Sequence, residues 1–176
     1  MSFLFGIGPE EWNNLKAVRE KYNINLRLAT SWINSHEDLL GWWTESFFPK
    51  VLWDMGCVPH IITWGYITGS GWGTDYSAAN LKKYRQAWLD DLAYMANRLK
   101  GEQQALVSLE TEFNGYLNID MEYWNQLMID SHNVIKSVAP NVLVSYCHGG
   151  WGWRWGDISW GGLLTESMSC LLYTSP

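Results

Sequence analysis

Cysteine is scarce in this chain. Cys57, Cys147 and Cys170 are its three thiols in 176 residues, too widely spaced for a disulfide framework, a zinc ligand set or a redox pair. Cys57 and Cys147 read most simply as buried thiols. Long apolar runs are missing too: no stretch approaches the roughly 18 residues of a membrane-crossing helix, so no membrane partner is expected. The apolar segment 2–8 is short, has no basic residues before it and runs at once into Pro9, Glu10 and Glu11. It does not read as a signal peptide, which leaves localisation open. Positive charge is in short supply, with 12 Lys and Arg against 18 Asp and Glu and a net charge of −6. Without a basic cluster, nucleic acid is not an expected partner. Gly6-Ile-Gly8 lacks the third glycine of a dinucleotide loop, and Glu10 and Glu11 would repel a phosphate. No His, Asp or Glu pair has metal-ligand spacing, and no Gly-x-Ser-x-Gly elbow occurs, so neither a metal nor another cofactor is expected.

Aromatic residues are abundant instead. Thirteen Trp and nine Tyr are more polar-tipped rings than a core of this size readily hides, because every buried indole N–H needs an acceptor. Some should line a surface. Flat rings at a mildly acidic surface suit neutral sugars, whose C–H faces stack while their hydroxyls find polar neighbours.

Apolar strands and helices alternate along the chain. The expected strands are 3–8, 25–32, 58–65, 104–112 and 142–147. Helices are expected between them at 10–22, at 39–55 with a kink or break at Pro49, at 77–100 and at 121–138. Ser77 is a candidate N-cap and Gly101 a candidate residue just past the third of these longer helices. Near-continuous apolar strands separated by helices of ten or more residues argue for a parallel sheet covered by helices. A doubly wound sheet would alternate in the same way, but the first loop lacks its glycine fingerprint. Polar and aromatic residues instead collect at strand ends: Trp32, Trp64 and Tyr66, Glu110 and Glu112, then His148. In a (β/α)₈ barrel these positions share one mouth.

Glycoside cleavage needs one carboxylic acid to protonate the leaving oxygen and a second carboxylate to attack the sugar or activate water. Their separation is about 5 to 5.5 Å for retention and about 6.5 to 9.5 Å for inversion. Glu110 and Glu112 alternate with Leu109 and Thr111, so an extended strand would put both acids on one face and raise at least one pKa. Asn114 is placed to bond a sugar hydroxyl or to make the turn before Gly115. His148 precedes Gly-Gly-Trp151-Gly-Trp153-Arg-Trp155, whose alternating rings could form a sugar platform. His60 lies mid-strand and reads as a satisfied core histidine.

The segment Val107-Ser-Leu-Glu-Thr-Glu-Phe-Asn-Gly115 resembles the fourth-strand motif of clan A glycoside hydrolases, above all the family 26 mannanases. In their His-Glu-Met-Asn-Gly segment the glutamate is the acid/base. Val58-Pro-His-Ile-Ile-Thr-Trp64 is similar to the same family's third strand, and the resemblance spans roughly residues 3 to 150. Thr111 and Gly65 depart from the family 26 pattern. The resemblance implies the N-terminal part of a TIM barrel with about five strands, in residues 1–169. It also implies a retaining β-polysaccharide hydrolase in which Glu112 is the acid/base. Glu110, Asn114, Trp32, Trp64, Tyr66, His148, Trp151 and Trp153 would then contact substrate, and the nucleophile glutamate of the seventh strand would lie beyond the chain. Residues 170–176, Cys-Leu-Leu-Tyr-Thr-Ser-Pro, match an in-frame translation of a common sequencing adapter and are expected to be a non-native tail. Two alternatives remain open: a family 18 chitinase-like barrel read from Ser108-Leu-Glu-Thr-Glu112, and a carbohydrate-binding barrel without catalysis.

Overall fold

The structure is a computed structural model, and it describes residues 5–7, 14–42, 49–67, 76–101, 103–110 and 119–146. Strand β1 (Phe5–Ile7) is followed by α1 (Leu15–Tyr22), β2 (Leu26–Ile33), α2 (His36–Trp42), α3 (Lys50–Asp54) and β3 (Val58–Thr63). Then come α4 (Ala78–Leu99), β4 (Ala105–Leu109), α5 (Met121–Val138) and β5 (Val142–Tyr146). All neighbouring strands pair in parallel, in the order β1-β2-β3-β4-β5. A doubly wound sheet reverses its strand order at a switch point, whereas a barrel adds each strand beside the last. This sheet shows the barrel's winding.

Several boundaries differ from the sequence expectation for local reasons. At Pro49, where a kink or break was expected within 39–55, the structure has a break: Pro49 is the N-cap of α3, and α2 begins earlier than expected, at His36. Its carbonyl accepts the N–H of Trp53 at 3.1 Å, an arrangement that needs no proline donor. α1 ends where Asn23 turns left-handed, at φ 49°, in the role a glycine often fills. α4 ends without that device. Lys100 is extended, and the side chain of Asn141 takes up the loose backbone groups. Its amide donates to the Leu99 and Gln103 carbonyls at 2.9 and 2.7 Å, and its oxygen accepts the Gly101 N–H at 3.3 Å. Asp120 caps α5 by accepting the N–H of Tyr123 at 2.9 Å.

Burial alternates along the strands. Pro59, Ile61 and Thr63 of β3 are buried, while Val58, His60 and Ile62 between them are only half-buried. The helices therefore cover one sheet face. Ala29, Ile33, Ile61, Val107 and Leu109 on that face share a core with Leu81, Trp88, Leu92 and Met95 of α4 and with Trp124, Leu127 and Ile135 of α5. Trp88 and Trp124 are thus core residues. The Trp88 indole satisfies its donor on Ser131 Oγ at 2.8 Å, and that hydroxyl donates in turn to the Leu127 carbonyl. On the sheet's N-terminal side, Arg19 of α1 clamps three segments. Its guanidinium donates to the Leu26 carbonyl, to the Met55 carbonyl at 2.8 Å and to Cys57 Sγ at 2.9 Å. Cys57 is buried, as the sequence suggested, and burial pushes its thiol pKa up.

The other face carries a polar row across four strands. Thr30 Oγ1 lies 3.2 Å from His60 Nδ1, His60 Nε2 lies 2.8 Å from Ser108 Oγ, and Ser108 Oγ lies 2.6 Å from Ser145 Oγ. His60 is engaged at both nitrogens, and burial lowers its pKa, which keeps the ring neutral. It is the satisfied histidine that its mid-strand position implied.

Candidate active site at the strand ends

Because the strands are parallel, Trp32 on β2, Trp64 just after β3 and Glu110 just after β4 gather at one end of the sheet. Trp32 and Trp64 meet edge to face, with centroids 6.3 Å apart and planes at 83°. Both are only partly buried, so this pair presents ring surface at the mouth. Sequence parity places Trp32 on the same face as Thr30 and the polar row.

Glu110 behaves differently from the expectation of a strand acid. β4 ends at Leu109, and Glu110 itself turns left-handed with φ 42°, so the two-residue alternation does not continue through it. Its backbone N–H donates to Thr63 Oγ1 at 2.8 Å. Its carboxylate is fully buried: Oε2 accepts the Tyr76 hydroxyl at 2.7 Å and Oε1 accepts the Tyr66 N–H at 3.2 Å. Burial pushes the carboxyl up to about 7, against the downward pull of Tyr76, Thr63 and the Tyr66 and Gly65 backbone. Desolvation outweighs four favourable hydrogen bonds because the anion has left water entirely.

Tyr66 is likewise held inside. It is 6% exposed, packs on Trp88 with centroids 5.2 Å apart, and donates its hydroxyl to Asp91 Oδ2 at 2.7 Å. Burial first, and then Asp91, raise its pKa above the ordinary phenol value. The other oxygen of Asp91 lies 2.8 Å from His36 Nδ1 at the start of α2. This cluster borders a cavity of about 220 Å³ between α2 and α4, lined also by Tyr84 and Ile67.

Of the residues singled out by sequence, the structure brings together Trp32 and Trp64. It places Glu110 and Tyr66 behind them, with their polar atoms on protein partners. Glu112, Asn114, His148, Trp151, Trp153 and Trp155 lie outside the described residues. Sequence reasoning passed over Thr63, Tyr76 and Asp91. Thr63 ends an apolar strand, Tyr76 directly precedes the α4 N-cap, and Asp91 sits in the middle of a helix beside an apolar stripe. Among them, only the polar end of an apolar strand is a local signal. Among the described residues no group of three or more His, Cys, Asp or Glu side chains could hold a metal ion.

One solved structure matches this architecture, the crystal structure of GH5_18 from Streptomyces cattleya in complex with GlcNAc. The TM-score is 0.53 at 13% identity, over 84% of this chain. The fold is a partial TIM barrel. The chain spans 44% of that structure's length, in keeping with five strands in sequential order. The likeness is one of fold, and it does not single out family 26. No family model matches the sequence, and no curated protein does. In TIM barrels the chemistry sits at the C-terminal mouth of the strands, which is the end where the Trp32–Trp64 pair and the Glu110 cluster lie.

Proposed function

We propose that this chain is the N-terminal part of a retaining glycoside hydrolase acting on a β-linked polysaccharide such as a mannan or glucan. Glu112 would be its acid/base. The observation that carries the reading is the partly exposed Trp32–Trp64 pair at the ends of β2 and β3, beside the end of β4 that leads into Glu112. Rings at the mouth and a strand-end acid are what sugar cleavage requires: a stacking surface for the pyranose and a proton donor for the leaving oxygen. Asn114, His148, Trp151 and Trp153 are proposed to complete the substrate surface, and a glutamate at the end of the seventh strand is proposed as the nucleophile. The solved barrel of similar fold holds GlcNAc, which supports a carbohydrate ligand and brings N-acetylated sugars into the substrate panel.

The test compares residues 1–176, the gene completed beyond codon 169, and a completed Glu112→Gln variant on β-mannan, β-glucan, xylan and chitin oligomers. The completed enzyme should hydrolyse one of these. Glu112→Gln should lose several powers of ten in rate, as removal of one member of a cooperating catalytic pair does. Residues 1–176 alone should show no turnover. A Glu112→Gln enzyme of undiminished rate refutes the assignment. Oligosaccharide binding without hydrolysis by the completed chain identifies a binding barrel instead.

A further inference from the structure

We propose that Glu110 is the positioning residue of this mouth. From the end of β4 it ties down the turn after β3 through Tyr66 and the start of α4 through Tyr76, and so fixes the direction in which the chain departs toward Glu112. The proposal rests on the glycoside hydrolase reading above.

Glu110 joins segments that are far apart in sequence. Its backbone N–H holds Thr63 of β3, one carboxylate oxygen holds the Tyr66 backbone and the other holds the Tyr76 hydroxyl. The anchors are themselves fixed. Tyr66 is packed on Trp88 and bonded to Asp91, both on α4. Tyr76 meets Trp124 of α5 edge to face, with centroids 5.3 Å apart. A carboxylate with both oxygens so engaged and no exposed surface holds protein rather than sugar.

The backbone points the same way. A left-handed φ strains a residue with a Cβ, and glycine would sit there more readily. Only a side chain of glutamate's length carrying two polar atoms joins Tyr66 to Tyr76. The Tyr66 N–H can only donate, whereas the Tyr76 hydroxyl can donate or accept. A protonated Glu110 therefore keeps both contacts by carrying its proton on Oε2, and glutamine reproduces that pattern with its amide. Among the described residues, the ionisable groups facing Glu110 are Tyr66 from the turn after β3 and Tyr76 from the start of α4. Behind Tyr66 stand Asp91 on α4, paired with His36, and Glu37 at longer range. Ionising Glu110 thus adds negative charge to a cluster that is already acidic.

The experiment measures amide exchange at Tyr66 relative to Ile61 within the sheet, in the 176-residue chain, so that intrinsic pH effects cancel. In Glu110→Ala the ratio should rise roughly tenfold or more, while Glu110→Gln should stay within about twofold of wild type. Between pH 6 and 8 the wild-type ratio should rise, and that of Glu110→Gln should stay flat. Tyr76→Phe, which keeps the carboxylate, should loosen Tyr66 several-fold and serves if Glu110→Ala does not fold. An unchanged Tyr66 in these variants overturns the proposal, as does a Glu110→Gln chain as loose as Glu110→Ala. In the same samples a β-1,4-manno-oligosaccharide should bind about tenfold more weakly to Glu110→Ala and normally to Glu110→Gln. Loosened exchange with unaltered sugar affinity overturns the positioning role. A wild-type chain that binds neither this sugar nor a cello- or chito-oligosaccharide defeats the glycosidase reading, and the exchange ratios still decide whether Glu110 is the clamp.

Discussion

The hydroxyl of Tyr76, at the threshold of α4, donates to Glu110 Oε2 across 2.7 Å, with no solvent reaching either residue. A helix start and a strand end are thereby joined through one buried hydrogen bond, and the proton affinity of the Glu110 carboxyl becomes part of the protein's stability.

That linkage has a definite sign. The folded carboxyl titrates at about 7, above its ordinary value of 4.5, so the folded form holds the proton more tightly than the unfolded chain. This contribution to stability is complete below about pH 4.5 and is lost as pH rises through about 7. The gap corresponds to about 3 kcal/mol. Urea unfolding at pH 5, 6, 7 and 8 should show wild type losing ground to Glu110→Gln over this window. Parallel curves for the two proteins would show that Glu110 titrates normally.

Arg19 joins α1 to the start of β2 and to the α3–β3 junction by a planar fork of donors. Arg19→Ala should cost about 2–4 kcal/mol, since it leaves the Leu26 and Met55 carbonyls short of a charged partner. Arg19→Lys should recover less than half of this, because an ammonium cannot reach several acceptors in one plane. Denaturant midpoints decide the matter, and a lysine variant equal to wild type would mean that charge alone suffices.

Asn141 closes α4 from a distant part of the chain, using its oxygen and its amide together. Asn141→Ala should lower stability by about 1–2 kcal/mol, the usual cost of a lost cap. Exchange of the Gly101 amide should quicken with it. Asn141→Asp should do no better than alanine toward the Leu99 and Gln103 carbonyls, because a carboxylate only accepts.

Trp64→Ala should weaken oligosaccharide binding by about 2 kcal/mol if the Trp pair is a stacking surface, in line with truncation of an aromatic anchor. The stability cost should be nearer 1 kcal/mol, the value of one edge-to-face contact at a partly exposed position. Titration calorimetry together with thermal melting separates the two effects. A loss of stability without a change in affinity would make the pair packing only.

The parallel winding was legible in the sequence because each strand is an apolar run closed by glycine, proline or a polar cluster, and each long helix has the matching period. The Trp32–Trp64 pair was legible for the same reason: strand ends of a parallel sheet meet. The end of β4 was not. Two-residue alternation from Leu109 to Glu112 assumes extended backbone, and the left-handed turn at Glu110 breaks that assumption without any glycine or proline to announce it. Nor could Tyr66 be read as a buried ring, because what buries it is Trp88 and what holds its hydroxyl is Asp91, both set by how α4 packs. Partners more than twenty residues apart leave no periodic trace.

The row from Thr30 through His60 and Ser108 to Ser145 bears on how the sheet assembles. A backbone ladder between parallel strands can slide by a residue and still find partners, and a slide turns every side chain to the opposite face. If β4 slipped by one position, Val107 or Leu109 would stand where Ser108 now meets both His60 and Ser145. An imidazole nitrogen and a hydroxyl would then be stranded against aliphatic carbon, at a cost of about 1–3 kcal/mol each. The four side chains work as a proofreading key for alignment, which rejects the near-miss sheets that hydrophobic burial alone would tolerate.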